Sequence, residues 1–318
     1  MKVMRFELPA SPGQTRVGFV DLASSTVVDA ATVLSRVGVA IPLIRAVDII
    51  AYNTGKPGTL AWDLRSLNKF DAPRWQLNEV AYRPPIEAGS LRDFIAFERH
   101  IKTLRNKRGA EVPPAWYQMP VYYKGNPRSL IGHDQPVNWP RYTEQLDFEL
   151  EMACILGKEG QDVAEAGAEA FIGGYAVLND WSARDIQYLE MSVGLGPSKG
   201  KDFATSLGPW VVTPDEFNPR NARMTARING ELWSDGNIGQ IHWSFPQMIA
   251  HVSMDETVYP GDIFGSGTVG GGCGAELDRW IQPGDVVELE VEGIGLLRNR
   301  VVRTPSRLGA EKPFRPST

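Results

Sequence analysis

The chain has 318 residues, of which 42% are hydrophobic and 22% charged, with a net charge of −5. That length supports a sizeable core split between a small domain and a larger one. The negative balance excludes a general nucleic-acid partner, because a phosphate backbone demands clustered Lys and Arg.

Other whole-chain features narrow the class further. The basic run Lys102–Arg108 has no interleaved aromatic residues for base stacking, so it reads as a solvated helix end or loop. No stretch approaches the ~18 apolar residues of a membrane span, and the start lacks the apolar core of a signal peptide. Cys154 and Cys273 are the only cysteines and read as free thiols in a reducing compartment, so a cytoplasmic location is expected. Thirty-two glycines and twenty-three prolines favour short strands joined by tight turns.

Along the chain, residues 1–85 read as a small mixed domain, with a strand at Val17–Asp21 and a short helix at Ala30–Val37. Pro84-Pro85 breaks the chain before the larger unit, 86–318. A helix is expected over Ser90–Leu104, with Ser90 as N-cap and Asp93 at its third position. Asp147–Met152 alternates acidic and apolar residues, which is strand periodicity. A helix over Asp162–Ala170 and a buried strand over Gly173–Asn179 follow. Pro-Gly-Asp turns at Pro260 and Pro283 introduce strands at Ile263-Phe264 and Val286–Glu292. The expected fold is therefore α+β and β-rich, a mixed roll or barrel-like sheet assembly with a small N-terminal domain.

The segment Leu146–Met152 carries the most chemistry. Side chains at i and i+2 share a strand face, so Asp147, Glu149 and Glu151 project together, opposite Leu146, Phe148, Leu150 and Met152. Three like charges on one face repel unless water or a cation relieves them. A solvated edge strand is one reading. A hard divalent cation is the other, since Mg²⁺ and Ca²⁺ take carboxylate oxygens whereas zinc favours Cys and His. A second acidic cluster starts at Asp180, with Arg184 and Gln187 at i+4 and i+7; an N-cap aspartate paired with Arg184 is its plain structural reading.

Asn179–Gln187 (NDWSARDIQ), Glu149-x-Glu151, Lys201–Thr205 before Gly208-Pro209-Trp210, and Phe264–Thr268 followed by Pro283-Gly284-Asp285 occur in an order that resembles the fumarylacetoacetate hydrolase superfamily. The resemblance spans roughly Leu91 to Val302. It implies Glu149, Glu151 and Asp180 as metal ligands, with Asp93 as a fourth carboxylate and His100, seven residues later, as the residue that activates water. It also implies Glu276 as partner of His100, Lys201 and Thr205 near the metal, and Tyr123, Arg184, Gln187 and Thr268 as substrate contacts. The loop before Glu276 is shorter than in the longer members, and no arginine stands clearly in register near Arg108 and Gly109. The implied cofactor is a divalent cation, Mg²⁺ or Ca²⁺ with Mn²⁺ as a further option. The implied activity is hydrolysis of a C–C bond in a small 1,3-dicarbonyl acid, by a homodimer. Decarboxylases, dehydratases and isomerases of small keto acids share the fold, and a non-catalytic keto-acid binder is the reading from another class.

Overall fold

A computed structural model of the chain describes residues 1–40, 44–56, 60 and 64–303. In chain order its strands are β1 Lys2–Glu7, β2 Arg16–Asp21, β3 Thr26–Asp29, β4 Arg74–Gln76, β5 Ala81–Arg83, β6 Leu91–Phe94, β7 Tyr122–Gly125, β8 Leu130–Ile131, β9 Val137–Asn138 and β10 Leu146–Asp147. They continue with β11 Leu150–Leu156, β12 Ile172–Asn179, β13 Ser182–Ala183, β14 Thr205–Val212, β15 Arg223–Ile228, β16 Glu231–Asn237, β17 Ile263–Gly265, β18 Val286–Val291 and β19 Gly295–Val302. The helices used below are α1 Ala30–Arg36, α2 Ala46–Gly55, α3 Glu98–Asn106, α4 Arg184–Ser192, α5 Phe245–Val252 and α6 Gly274–Leu277.

The main sheet runs β4-β3-β2-β1-β14-β12-β11-β17-β6-β7, and a second sheet runs β16-β15-β18-β19-β9. The architecture is strand-rich α+β, as the turn-dense sequence implies. At its centre, β11 and β12 pair antiparallel and are buried along their whole length. Their alternate side chains feed two cores, which is why both read as nearly continuous apolar runs. Met152, Cys154, Tyr175 and Val177 pack with the second sheet through Met224, Leu289 and Leu297. Ala153, Ile155, Ala176 and Leu178 pack with α1 and α2 through Leu34, Ile49 and Ile50. The strands of the first 85 residues continue the main sheet, because β1 pairs antiparallel with β14.

Three expectations need correction. The helix expected over Ser90–Leu104 is split: Leu91–Phe94 forms β6, parallel to β17 and antiparallel to β7, and the helix starts only at Glu98. Ser90 caps no helix; its hydroxyl donates to Asp262 instead. Long-range pairing thus overrides the local helical pattern. The stretch expected as a helix over Asp162–Ala170 is a 3₁₀ run, Glu165–Phe171. The strand through Asp147–Met152 is interrupted, with β10 paired to β13 and β11 resuming at Leu150.

Candidate active site

The interruption between β10 and β11 decides the fate of the acidic face. Glu149 N–H donates to Asn179 Oδ1, and the Glu149 backbone bridges Cys273. Asp147 thereby stays outside the carboxylate group that Glu149 and Glu151 join. It accepts from the N–H groups of Gly274 (2.7 Å) and Ala275 (3.0 Å), satisfying the first turn of α6. All three acids are buried, with Asp147 and Glu151 at 0% exposure and Glu149 at 5%, so the solvated-edge reading fails.

Four carboxylates converge. Ligand oxygens of Asp93, Glu149, Glu151 and Asp180 lie within 4.8 Å of one another. Asp93 arrives on β6, Glu149 and Glu151 from β11 and the residue before it, and Asp180 from the loop after β12. The neighbouring β17 makes room: a Cβ on Gly265 would stand 2.2 Å from Asp93 Oδ1, so any larger residue would push the Asp93 carboxylate out of its place. Gly267, at φ +76°, would place a Cβ 2.4 Å from the Phe94 carbonyl oxygen. Its conformation lets its own N–H donate to Glu151 Oε2 at 3.0 Å.

Two buried cations brace this cluster. Lys201 Nζ donates to Glu149 Oε2 at 2.7 Å and also to Asp180 Oδ2. Arg184 Nε donates to Asp147 Oδ2 at 2.9 Å and Nη1 to Gln187 Oε1 at 3.0 Å. Its Nη2 lies 2.7 Å from Glu149 Oε1 and 2.8 Å from Asp147 Oδ2, an ion pair with each in which neither oxygen lies along an N–H direction. Asp180 therefore pairs with Lys201, not with Arg184. It caps no helix either, since α4 begins at Arg184 behind Ala183.

The carboxylates respond unequally. Burial, reinforced by the neighbouring acids, pushes Asp93 and Glu151 well above the usual carboxylate range. Burial also acts on Glu149, but Arg184 and Lys201 outweigh it and hold that carboxyl low. Lys201 is the counterpart: burial opposes its charge, yet Asp180 and Glu149 raise its pKa. Asp93 Oδ1 is buried and has no hydrogen-bond partner. An orphaned carboxylate oxygen among three further acids suits a hard divalent cation, and the all-oxygen donor set fits Mg²⁺, Mn²⁺ or Ca²⁺ better than zinc.

Beside the carboxylates, His100 on α3 meets Glu276 on α6, with His100 Nδ1 2.7 Å from Glu276 Oε2. Glu276 Oε1 accepts from Gly271 N–H at 3.0 Å, which fixes the carboxylate from its other side. The fold thus delivers Glu276 to His100, 176 positions away in sequence.

A cavity of about 300 Å³ opens over these groups. Its polar floor holds the four carboxylates, His100, Lys201, Arg184, Gln187, Tyr123 and Thr268. Tyr123 donates to Asp180 Oδ1 at 2.8 Å, and Thr268 lies 3.4 Å from Glu151 Oε1. Thr205 is buried at the start of β14 and is not among the lining residues. The outer wall is apolar, from Ile95, Ile101, Leu104, Val121 and Met191, with Arg105, Arg108 and Tyr188 at its edge. Sequence reading missed this wall, because single aliphatic residues carry no local signal. The sequence reads Lys102–Arg108 as a solvated helix end or loop, with no arginine clearly in register for a substrate contact near Arg108, whereas Arg105 and Arg108 line the cavity and Arg108 lies 3.9 Å from the Tyr188 ring centroid.

Comparison with known proteins agrees with this arrangement. Residues 90–302 match the family described as fumarylacetoacetate (FAA) hydrolase C-terminal. An uncharacterised protein of Staphylococcus aureus (strain USA300) is 31% identical over 229 residues, covering 71% of this chain and 73% of its own. A fumarylacetoacetate hydrolase from Exiguobacterium antarcticum is 26% identical in sequence, with a TM-score of 0.73 over 96% of this chain and all (100%) of its own. A 5-carboxymethyl-2-hydroxymuconate delta-isomerase from Mycobacterium smegmatis gives 25% identity and a TM-score of 0.69 over the same shares, 96% and 100%. Maleylpyruvate hydrolase from Sphingobium sp. SYK-6, solved with manganese(II) and pyruvate, shares the fold at 22% identity, with a TM-score of 0.71 and coverage of 96% and 100%. With two thirds of its length matched and its site carried on the matched part, this chain belongs to the fumarylacetoacetate hydrolase family.

Proposed function

We propose that the protein is a metal-dependent hydrolase that cleaves a C–C bond in a small 1,3-dicarbonyl acid of the fumarylacetoacetate or acylpyruvate type. The observation that carries this reading is the buried His100–Glu276 pair, 2.7 Å apart and directly beside the four-carboxylate cluster. Enolate chemistry alone needs no second acid–base pair, whereas hydrolysis must activate a water molecule.

Asp93, Glu149, Glu151 and Asp180 would hold a divalent cation, Mg²⁺, Mn²⁺ or Ca²⁺. Bound there, such an ion supplies Lewis acidity toward adjacent keto or enol oxygens of the substrate. The protein's own groups do the rest. Glu276 holds His100 through Nδ1, leaving Nε2 to take a proton from the attacking water. Lys201 Nζ, kept charged by Glu149 and Asp180, is placed to return a proton to the departing carbon. Gln187 and Thr268 offer polar contacts to the substrate. Arg184 is largely committed to Asp147, Glu149 and Gln187, so its part is to orient those side chains as much as to meet the substrate. The catalytic groups are carried on residues 86–318, the first 85 form a small unit whose strands extend the same main sheet, and the assembly is a cytoplasmic homodimer.

The similarity to an isomerase supports a second reading, isomerisation or another enolate reaction of a keto acid at the same centre. Turnover of an acylpyruvate panel and fumarylacetoacetate, followed by loss of the enol absorbance with and without EDTA and added metal, separates the two. Two acid products support the hydrolase. Metal-bound protein inert toward every member of the panel refutes it.

A further inference from the structure

We propose that Cys273, His100 and Glu276 form a second metal site, selective for thiophilic divalent cations such as Zn²⁺, whose occupation switches off the neighbouring centre.

The three side chains are buried, and their ligand atoms lie within 4.8 Å of one another. They converge on one point: Glu276 Oε2 is 2.7 Å from His100 Nδ1 and 3.5 Å from Cys273 Sγ. Sulfur, imidazole nitrogen and carboxylate oxygen form a donor set that zinc favours and that Mg²⁺ does not. The other cysteine, Cys154, lies within the central strand β11 among apolar side chains.

The exchange balances. Zn²⁺ enters, the Cys273 thiol gives up its proton to solvent, and the imidazole hydrogen is carried on Nε2 while Nδ1 coordinates. One thiolate and one carboxylate then offset the double positive charge, leaving a neutral buried group, with water completing a tetrahedral site. Entry is through the cavity, which His100 lines. The two centres stand wall to wall, since Cys273 bridges Glu149. A hard cation among the carboxylates would support turnover, and a soft one here would remove His100 from proton transfer. The binding site stands on geometry alone; only the inhibitory consequence rests on the proposed hydrolase reading.

The test uses the full-length protein saturated with Mg²⁺ and titrated with Co²⁺, whose bond to a thiolate gives a near-ultraviolet charge-transfer band. One equivalent should develop this band, and Zn²⁺ should abolish it. C273S should show no band, C154S should retain it, and the Mg²⁺-supported activity of C273S should stay within about twofold of wild type. Half-inhibition by free Zn²⁺ should need about tenfold or more higher concentration in C273S. Absence of the band in wild-type protein overturns the proposal, and this measurement needs no variant to fold. Equal Zn²⁺ inhibition of wild type and C273S also overturns the switch, assigning inhibition to the carboxylate cluster. A band without any turnover of the substrate panel would retain the site and reject the hydrolase reading.

Discussion

Lys201→Met tests the electrostatics of the carboxylate cluster without touching a carboxylate. Lys201 is 3% exposed and ion-paired with Glu149 and Asp180, both buried. Breaking a buried pair by deleting one partner typically costs about 3–5 kcal/mol, because the remaining charge is left uncompensated. Asp93 and Glu151 already sit well above the usual carboxylate range. Uptake of a further proton by the cluster then relieves part of the cost, which favours the lower end, about 3 kcal/mol. For 318 residues the unfolding entropy is about 0.67 kcal/mol/K, so the melting temperature should fall by roughly 4–5 °C. A divalent cation should reverse the sign of the comparison. Without the Lys201 charge repelling it, Mn²⁺ should bind the variant more tightly and raise its melting temperature by more than that of wild type. Scanning calorimetry of both proteins in EDTA and in Mn²⁺ makes the measurement. Equal melting temperatures in EDTA, or no shift of either protein with Mn²⁺, would refute the reasoning.

Other expectations follow from the same geometry. His100→Ala should lower turnover by roughly 10²–10⁴-fold with the metal-induced thermal shift retained; a drop of only a few-fold removes His100 as the base. Asp147→Asn should weaken the hold on Arg184 and on the start of α6, destabilising the protein by about 1–3 kcal/mol in urea titration; an unchanged midpoint would deny it that role. Phe264→Ala, at a fully buried position beside Phe94 at 5.5 Å, should cost about 3–5 kcal/mol. Glu7 is held down to about 2 from 4.5, first by Arg83 and then by Gly13 N–H. Its folded-state pKa is depressed, so its stabilisation is present above about pH 4.5 and lost as the pH falls toward about 2. The stability gap between wild type and Glu7→Gln should therefore close on acidification through that window, and a gap independent of pH would contradict this.

Much of the site was legible in the sequence because it rests on short-range regularities. Alternation along Leu146–Met152 exposed the acids, and motif order supplied Asp93, His100, Asp180, Lys201 and Glu276 through family resemblance. The buried strand at Gly173–Asn179 was visible for the same reason, a dense apolar run one strand long, and the structure places it at Ile172–Asn179. What failed depended on partners far along the chain. Asp93 lies on a strand because β17, some 170 residues later, pairs with β6. Asp147 stays outside the cluster because Asn179 and Cys273 take the backbone of Glu149 and break the strand there.

By itself, then, the sequence marked the acids of Leu146–Met152 as candidate ligands of a hard cation, since strand periodicity is a local property of the backbone, while the family resemblance implied His100 as the residue that activates water. Tertiary structure alone decided that Asp147 satisfies the first turn of α6, that Arg184 braces Glu149, and that a cysteine stands against the His100–Glu276 pair. Those outcomes follow from burial and long-range pairing. The energies of charge and hydrogen bonding there depend on neighbours that no local window of the chain contains.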